Sequence, residues 1–155
     1  MRANFSIFES ILVEMPNYEK QLEEIQRSEI TKKLQNKKGV YVFYENNIAV
    51  YVGKTDNLGR RLKEHARNSS KNNDANFAFK IAKLEWKLNN KTAIKITRKI
   101  LDETETFLPH FDKAKKTVGN MKMKFVEIDD PNHQYLFEFW LAIKLSTKYN
   151  QFVNT

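Results

Sequence analysis

The 155-residue sequence contains no cysteine and only four glycines, three prolines and three histidines. Without thiols there is no disulfide scaffold, zinc ribbon, iron–sulfur ligation or cysteine nucleophile, and the redox compartment is left open. The histidines, His65, His110 and His133, are too few and too scattered for a histidine-rich metal site. No stretch approaches the roughly 18 uncharged apolar residues of a membrane helix. The opening segment, Met1 to Met15, carries Glu9 and Glu14 and no basic run leading into an apolar one, so it does not read as a signal peptide. These absences lead to the expectation of a soluble, cytoplasmic protein with no membrane partner.

What is present is a core and a positive charge. Hydrophobic residues make up 41% of the chain, with 11 phenylalanines, which excludes whole-chain disorder and fits one compact domain. Twenty-seven Lys and Arg against 19 Asp and Glu give a net charge of +8, which favours an anionic partner, nucleic acid first.

The hydrophobic pattern predicts a helix from Tyr18 to Gln35, then a hairpin in which Gly39 to Tyr44 and Ile48 to Val52 flank the turn-prone pair Asn46 and Asn47. Both hairpin faces are apolar or aromatic, which leads to the expectation that it lies centrally in a layered domain, covered by helices on at least one side. Leu58, Leu62 and Ala66 recur every four residues in a basic helix over 56–67. After a polar break from Asn68 to Asn73, a further helix is expected over Asp74 to Leu88; Ala93 to Ile100 reads equally as strand or short helix. Thr104 to Val118 reads as a helix that Pro109 and His110 threaten to break. Met121 to Ile128 looks like a third strand, and a last helix is expected from Asn132 to Lys148, started by Asp130 and Pro131. The fold expected is α/β: a small three-stranded, mainly antiparallel sheet flanked by helices. An N-terminal helical extension would span 1–36, and a domain over 37–155 would carry a helical insertion at about 71–120.

The chemistry concentrates in Gly39 to His65. Two tyrosines, Tyr41 and Tyr51, sit near opposed ends of the hairpin, Gly53 permits a close approach, Lys54 follows it, and Arg61 and His65 lie four apart on the basic helix. A phenol, an ammonium, a guanidinium and an imidazole would then converge on one anion. Far along the chain, Glu138 is flanked by Tyr135, Phe137, Phe139 and Trp140, company in which a carboxylate is costly unless paired or metal-bound.

These residues resemble the GIY-YIG nucleases. Gly39, Val40 and Tyr41 match the first short motif and Tyr51, Val52 and Gly53 the second, with valine for isoleucine in both. Arg61, ten residues after Tyr51, falls where that family has its helix arginine, and His65 at a position often His or Tyr. Glu138 matches the family's metal-binding glutamate, and Asn150, twelve residues further on and preceded by Tyr149, matches its asparagine. The resemblance implies a DNA endonuclease hydrolysing phosphodiesters. Glu138 would bind Mg²⁺, for which Mn²⁺ would substitute, and Arg61 would clamp the scissile phosphate. Tyr41, or as second candidate Tyr51, would activate or orient water, with Lys54 or its surroundings favouring the deprotonated phenol. His65 would relay a proton or bind phosphate, and Asn150 would fix the chain end beside the site through side-chain to backbone bonds.

Arg60, Arg61, Lys63 and Arg67 are the candidate DNA contacts. Cutting both strands at a defined site usually calls for two active sites and hence a dimer or tetramer, a homodimer being one form it could take. The rival reading is a non-catalytic nucleic-acid-binding module that keeps the fold. Taken singly, each residue has a plainer explanation: sheet aromatics for the tyrosines, a solvated basic face for the arginines, a rim glutamate for Glu138. Phe77, Phe79, Trp86 and Phe107 are read as core rather than as base-stacking platforms, and His110 and His133 as structural or surface residues.

Overall fold

The computed structural model describes residues 2–67, 74–90 and 97–152. The chain divides into two compact units, one of Met1–Arg60 with Lys122–Thr155, the other of Arg61–Met121.

The first unit is built on a four-stranded antiparallel sheet, ordered β1-β4-β2-β3. Its elements are α1 (Arg2–Leu12), α2 (Met15–Lys20), β1 (Glu23–Ile25), α3 (Ile30–Leu34), β2 (Gly39–Glu45), β3 (Ile48–Thr55), the first turn of α4 (Leu58–Ala66), β4 (Lys122–Glu127) and α8 (Pro131–Lys144). The fourth strand corrects the three-stranded expectation, and it arises where one helix was expected over Tyr18 to Gln35. There the chain leaves the helix after Lys20, runs extended as β1, and turns through a short 3₁₀ segment, Arg27–Glu29, into α3. The local sequence is rich in helix formers, but β1 gains more by pairing: Ile25 lies opposite Met123 and is buried, and Glu24 lies opposite Lys124. Tertiary contacts thus override helix propensity.

The hairpin forms as expected, with α8 over one face, but it is not central in the sheet, because β3 is an edge strand. Asn46 and Asn47 have φ of 50° and 64°, and Glu45 pairs with Ile48, which makes a two-residue turn whose positive φ values suit asparagine. Strand alternation then sorts the side chains. Val40, Val42, Val52 and Val126 face α8 and form a core with Phe137, Leu141 and Ala142, closed by Ile11 and Met15. Tyr41 and Phe43, with their cross-strand partners Gly53, Tyr51, Phe125 and Met123, belong to the other face. Asp130 caps α8 by accepting from the amides of Asn132 and His133 at 2.8 and 3.1 Å. His133 has the structural role expected of it, with Nδ1 2.8 Å from the Tyr18 hydroxyl. Helix α8 stops at Lys144, short of the expected Lys148, and Ser146 takes a φ of 50° just beyond its end.

The second unit holds the rest of α4 with α5 (Asn76–Asn90), α6 (Arg98–Asp102) and α7 (Leu108–Asn120). Phe77, Phe79, Trp86 and Phe107 are buried, as their helical spacing indicates; Phe79 packs edge-on against Phe107 and Phe111 at 5.2 and 6.0 Å. Pro109 opens α7 instead of breaking a longer helix, because a first-turn residue has no amide to lose. The expected polar break at 68–73 and the start of the undecided stretch at 93–96 lie outside the described residues. Among the described residues no helix is long and apolar enough to cross a membrane.

Gly39 has a negative φ, so its need for glycine is steric: an added Cβ would lie 2.1 Å from the Val126 carbonyl oxygen on the neighbouring strand. Backbone cannot yield as a flexible side chain can. Gly39→Ala is therefore expected to destabilise the fold by at least about 2 kcal/mol, read as a lower urea midpoint.

Candidate active site

The hairpin brings two of the candidate residues together directly. Tyr41 and Tyr51 share a sheet face with ring centroids 6.4 Å apart, and Tyr41 also meets Phe43 edge-on at 5.8 Å. Tyr41 is only 1% exposed, Tyr51 9%. The close approach that Gly53 permits is made by the Tyr41 ring. Gly53 is its direct cross-strand partner, and a Cβ there would lie 2.4 Å from the phenol oxygen.

Lys54 comes next in β3 and therefore points to the opposite face, paired with Val40. Its ammonium lies over the Tyr135 ring of α8, 3.6 Å from the centroid. This corrects the expectation that Lys54 assists Tyr41: the two side chains lie on different sides of the sheet, and Lys54 belongs with α8. Glu138, half-buried, is three residues beyond Tyr135 and so its neighbour on the helix surface.

Asn150 is tied to the outer edge of β3. Its Oδ1 accepts from the Val52 amide at 2.7 Å and its Nδ2 donates to the Val52 carbonyl at 2.8 Å, while the Thr147 hydroxyl donates to Oδ1 at 2.9 Å. The Tyr149 amide donates to the Val50 carbonyl at 3.0 Å. These bonds are of the side-chain to backbone kind expected of Asn150, and they fasten the segment after α8 between the levels of Tyr51 and Gly53.

Arg61 and His65 belong to the second unit. The Arg61 Nη1 donates to Glu64 Oε2 at 3.2 Å and to the Asp74 carbonyl at 2.8 Å. His65 is fully buried, its ring edge-on to Phe77 at 6.4 Å. Arg60, Lys63 and Arg67, by contrast, are exposed, and their spacing of three and four puts them on one side of α4 and its continuation.

A family model described as the GIY-YIG catalytic domain matches residues 37–150. The chain belongs to that family. Among solved structures, it is similar to the GIY-YIG N-terminal endonuclease domain of UvrC from Thermotoga maritima. The magnesium-bound form of that domain is 16% identical, with a TM-score of 0.44 over 81% of this chain and 94% of that one. A point mutant of the same domain bound to its catalytic divalent cation gives 16%, 0.44, 81% and 93%. No curated protein sequence matches the chain. The GIY-YIG motif glycines, Gly39 and Gly53, are the two positions where β2 meets Val126 of β4 and where the Tyr41 ring crosses β3.

Three contributors to these surroundings escaped the sequence reading: Tyr135 under Lys54, Thr147 beside Asn150, and Glu64 beside Arg61. The last two carried a local signal, a polar partner three residues away. Tyr135 carried none, because its contact with Lys54 depends on how α8 lies on the sheet.

As a cation ligand set, Glu138 offers one hard carboxylate, and among the described residues no three His, Cys, Asp or Glu side chains cluster. That suits a small hard ion that keeps water and takes phosphate oxygens, as Mg²⁺ does, and does not suit zinc.

Asn150→Ala, which strips the Val52 amide and carbonyl of their partners, is expected to cost about 1–3 kcal/mol. The Val52 amide should also exchange with solvent deuterium markedly faster. Asn150→Asp, which keeps the acceptor for the amide but loses the donor to the carbonyl, should fall between.

Proposed function

We propose that the chain is a divalent-metal-dependent DNA endonuclease. The observation that carries this reading is the family match over 37–150, within which the residue types needed for phosphodiester hydrolysis are all retained.

In the proposed reaction, water attacks phosphorus in line and charge grows on the non-bridging oxygens and the leaving 3′ oxygen. Glu138 would hold the cation, which when bound would supply Lewis-acid stabilisation of that charge; Mg²⁺ fits the single carboxylate and Mn²⁺ shares its preference for oxygen. Arg61 clamps the scissile phosphate, its guanidinium oriented by Glu64 and the Asp74 carbonyl. Of the two phenols, Tyr51 takes the water-orienting role; it stands on the edge strand but on the face away from α8, so the phosphate held at Glu138 would have to reach it around the edge of β3. Tyr41 is the more deeply buried and fills the space over Gly53, which makes it the wall against which Tyr51 is set. Asn150 keeps β3 straight behind Tyr51 through its two bonds to Val52. Arg60, Lys63 and Arg67 bind the DNA backbone without reading sequence. His65 acts from within the core, by packing on Phe77 and holding α4 in place. The homodimer that two-strand cleavage calls for draws no support from the family match.

Incubation of plasmid, branched and single-stranded DNA with Mg²⁺, with and without chelator, tests the reading. Glu138→Ala should abolish cleavage while circular dichroism and DNA affinity stay near wild type; a well-folded wild type that binds but never cuts would instead make the chain a binding module. Replacing Arg60, Lys63 and Arg67 together should flatten the dependence of log affinity on log salt by about 0.9 for each phosphate that is no longer neutralised.

The two tyrosines separate cleanly. Tyr51→Phe is expected to slow single-turnover cleavage by about 100-fold, and Tyr41→Phe by far less. The opposite order would return the water-orienting role to Tyr41.

A further inference from the structure

Tyr135 is 62% exposed, so the hydrophobic core does not explain why an aromatic ring stands there. It borders an open cavity of about 410 Å³ lined by Ile7, Phe8, Ile11, Asn132 and Leu136, which leaves the ring room on that side. What does engage it is the Lys54 ammonium, 3.6 Å from the ring centroid and well inside the range in which a cation is attracted by an aromatic face. A lysine on an edge strand has four rotatable carbons and strong hydration, and left alone would sample many positions. The ring selects one of them. That position lies against the face of α8 on which Glu138 follows one turn later, and on the same sheet face as Val52, the residue that Asn150 holds.

We propose that Tyr135 is a positioning residue for Lys54, holding its ammonium beside Glu138 to receive the non-bridging oxygens of the phosphate that Glu138 and its cation bind. This rests on the nuclease reading for its chemistry, though not for its geometry. Lys54 carries the charge to the phosphate; Tyr135 touches neither DNA nor cation and acts through Lys54 alone. The ring supplies orientation without neutralising the ammonium, which a carboxylate partner in its place would do.

The test uses the full chain with Tyr135→Leu, Tyr135→Phe, Lys54→Met and the double variant Lys54→Met/Tyr135→Leu. In carbon–proton spectra, the Lys54 ε-methylene signal, identified by its loss in Lys54→Met, should lie upfield from the ring current. It should stay upfield in Tyr135→Phe and move to the ordinary lysine position in Tyr135→Leu. In single-turnover cleavage of DNA with Mg²⁺, Tyr135→Leu should lower the rate about tenfold with KM unchanged, and Tyr135→Phe should restore it. The double variant should be no slower than Lys54→Met. An unshifted Lys54 signal in the wild type, or losses that multiply in the double variant, would overturn the proposal. Should the wild type cut nothing, the nuclease reading falls while the spectra still decide whether Tyr135 holds Lys54.

Discussion

The phenol of Tyr41 crosses Gly53 where no Cβ fits, and this contact pins the register of β2 against β3 on which the other placements depend. A slip of one residue would set Val52 or Lys54 under the ring and turn every β3 side chain to the wrong face. With the register held, Tyr51 joins Tyr41 on one side, while Val52 enters the α8 core and Lys54 reaches Tyr135 on the other. The second motif glycine thus serves the tyrosine of the first, and the two short motifs act as one cross-strand unit.

Much of this was legible in the sequence because the signals were local. The asparagine pair marks a tight turn, the four-residue recurrence of Leu58 and Leu62 marks α4, and Asp130 with Pro131 marks the start of α8. The candidate residues stand out through their type and spacing. What stayed hidden needed partners far along the chain. Glu23 to Ile25 becomes a strand only because β4 is there to pair with it. Pro109 can be a helix breaker or a helix starter, and the turn before α7 decides which. The direction of Lys54 is a matter of parity along β3, one residue from Gly53, and a sequence motif that joins the two does not reveal that they serve opposite faces. His65 likewise shows its burial only once Phe77, on a different helix, packs against it.

The two units differ in what they rest on. The sheet unit is held by a valine-rich layer under α8, whose β-branched residues suit a strand buried against a helix. The helical unit is held by aromatic rings, Phe79, Phe107 and Phe111, with Trp86 donating to the Thr106 hydroxyl at 3.2 Å. It therefore has a core of its own, built from side chains that tolerate few substitutions of different shape.

The bonds from Asn150 and Tyr149 have a consequence for the molecule's behaviour in company. β3 is an edge of the sheet, and an open edge offers free amides and carbonyls to any passing strand. Here the Val50 carbonyl and both polar groups of Val52 are already occupied by the returning chain, so the middle of this edge is closed to a foreign strand. The opposite edge, β1, is three residues long and carries Glu23 and Glu24, too short and too charged to be extended. The residues that fasten the chain end at the candidate site thereby also keep one copy's sheet from continuing into the next, which guards a basic, aromatic-rich protein against aggregation.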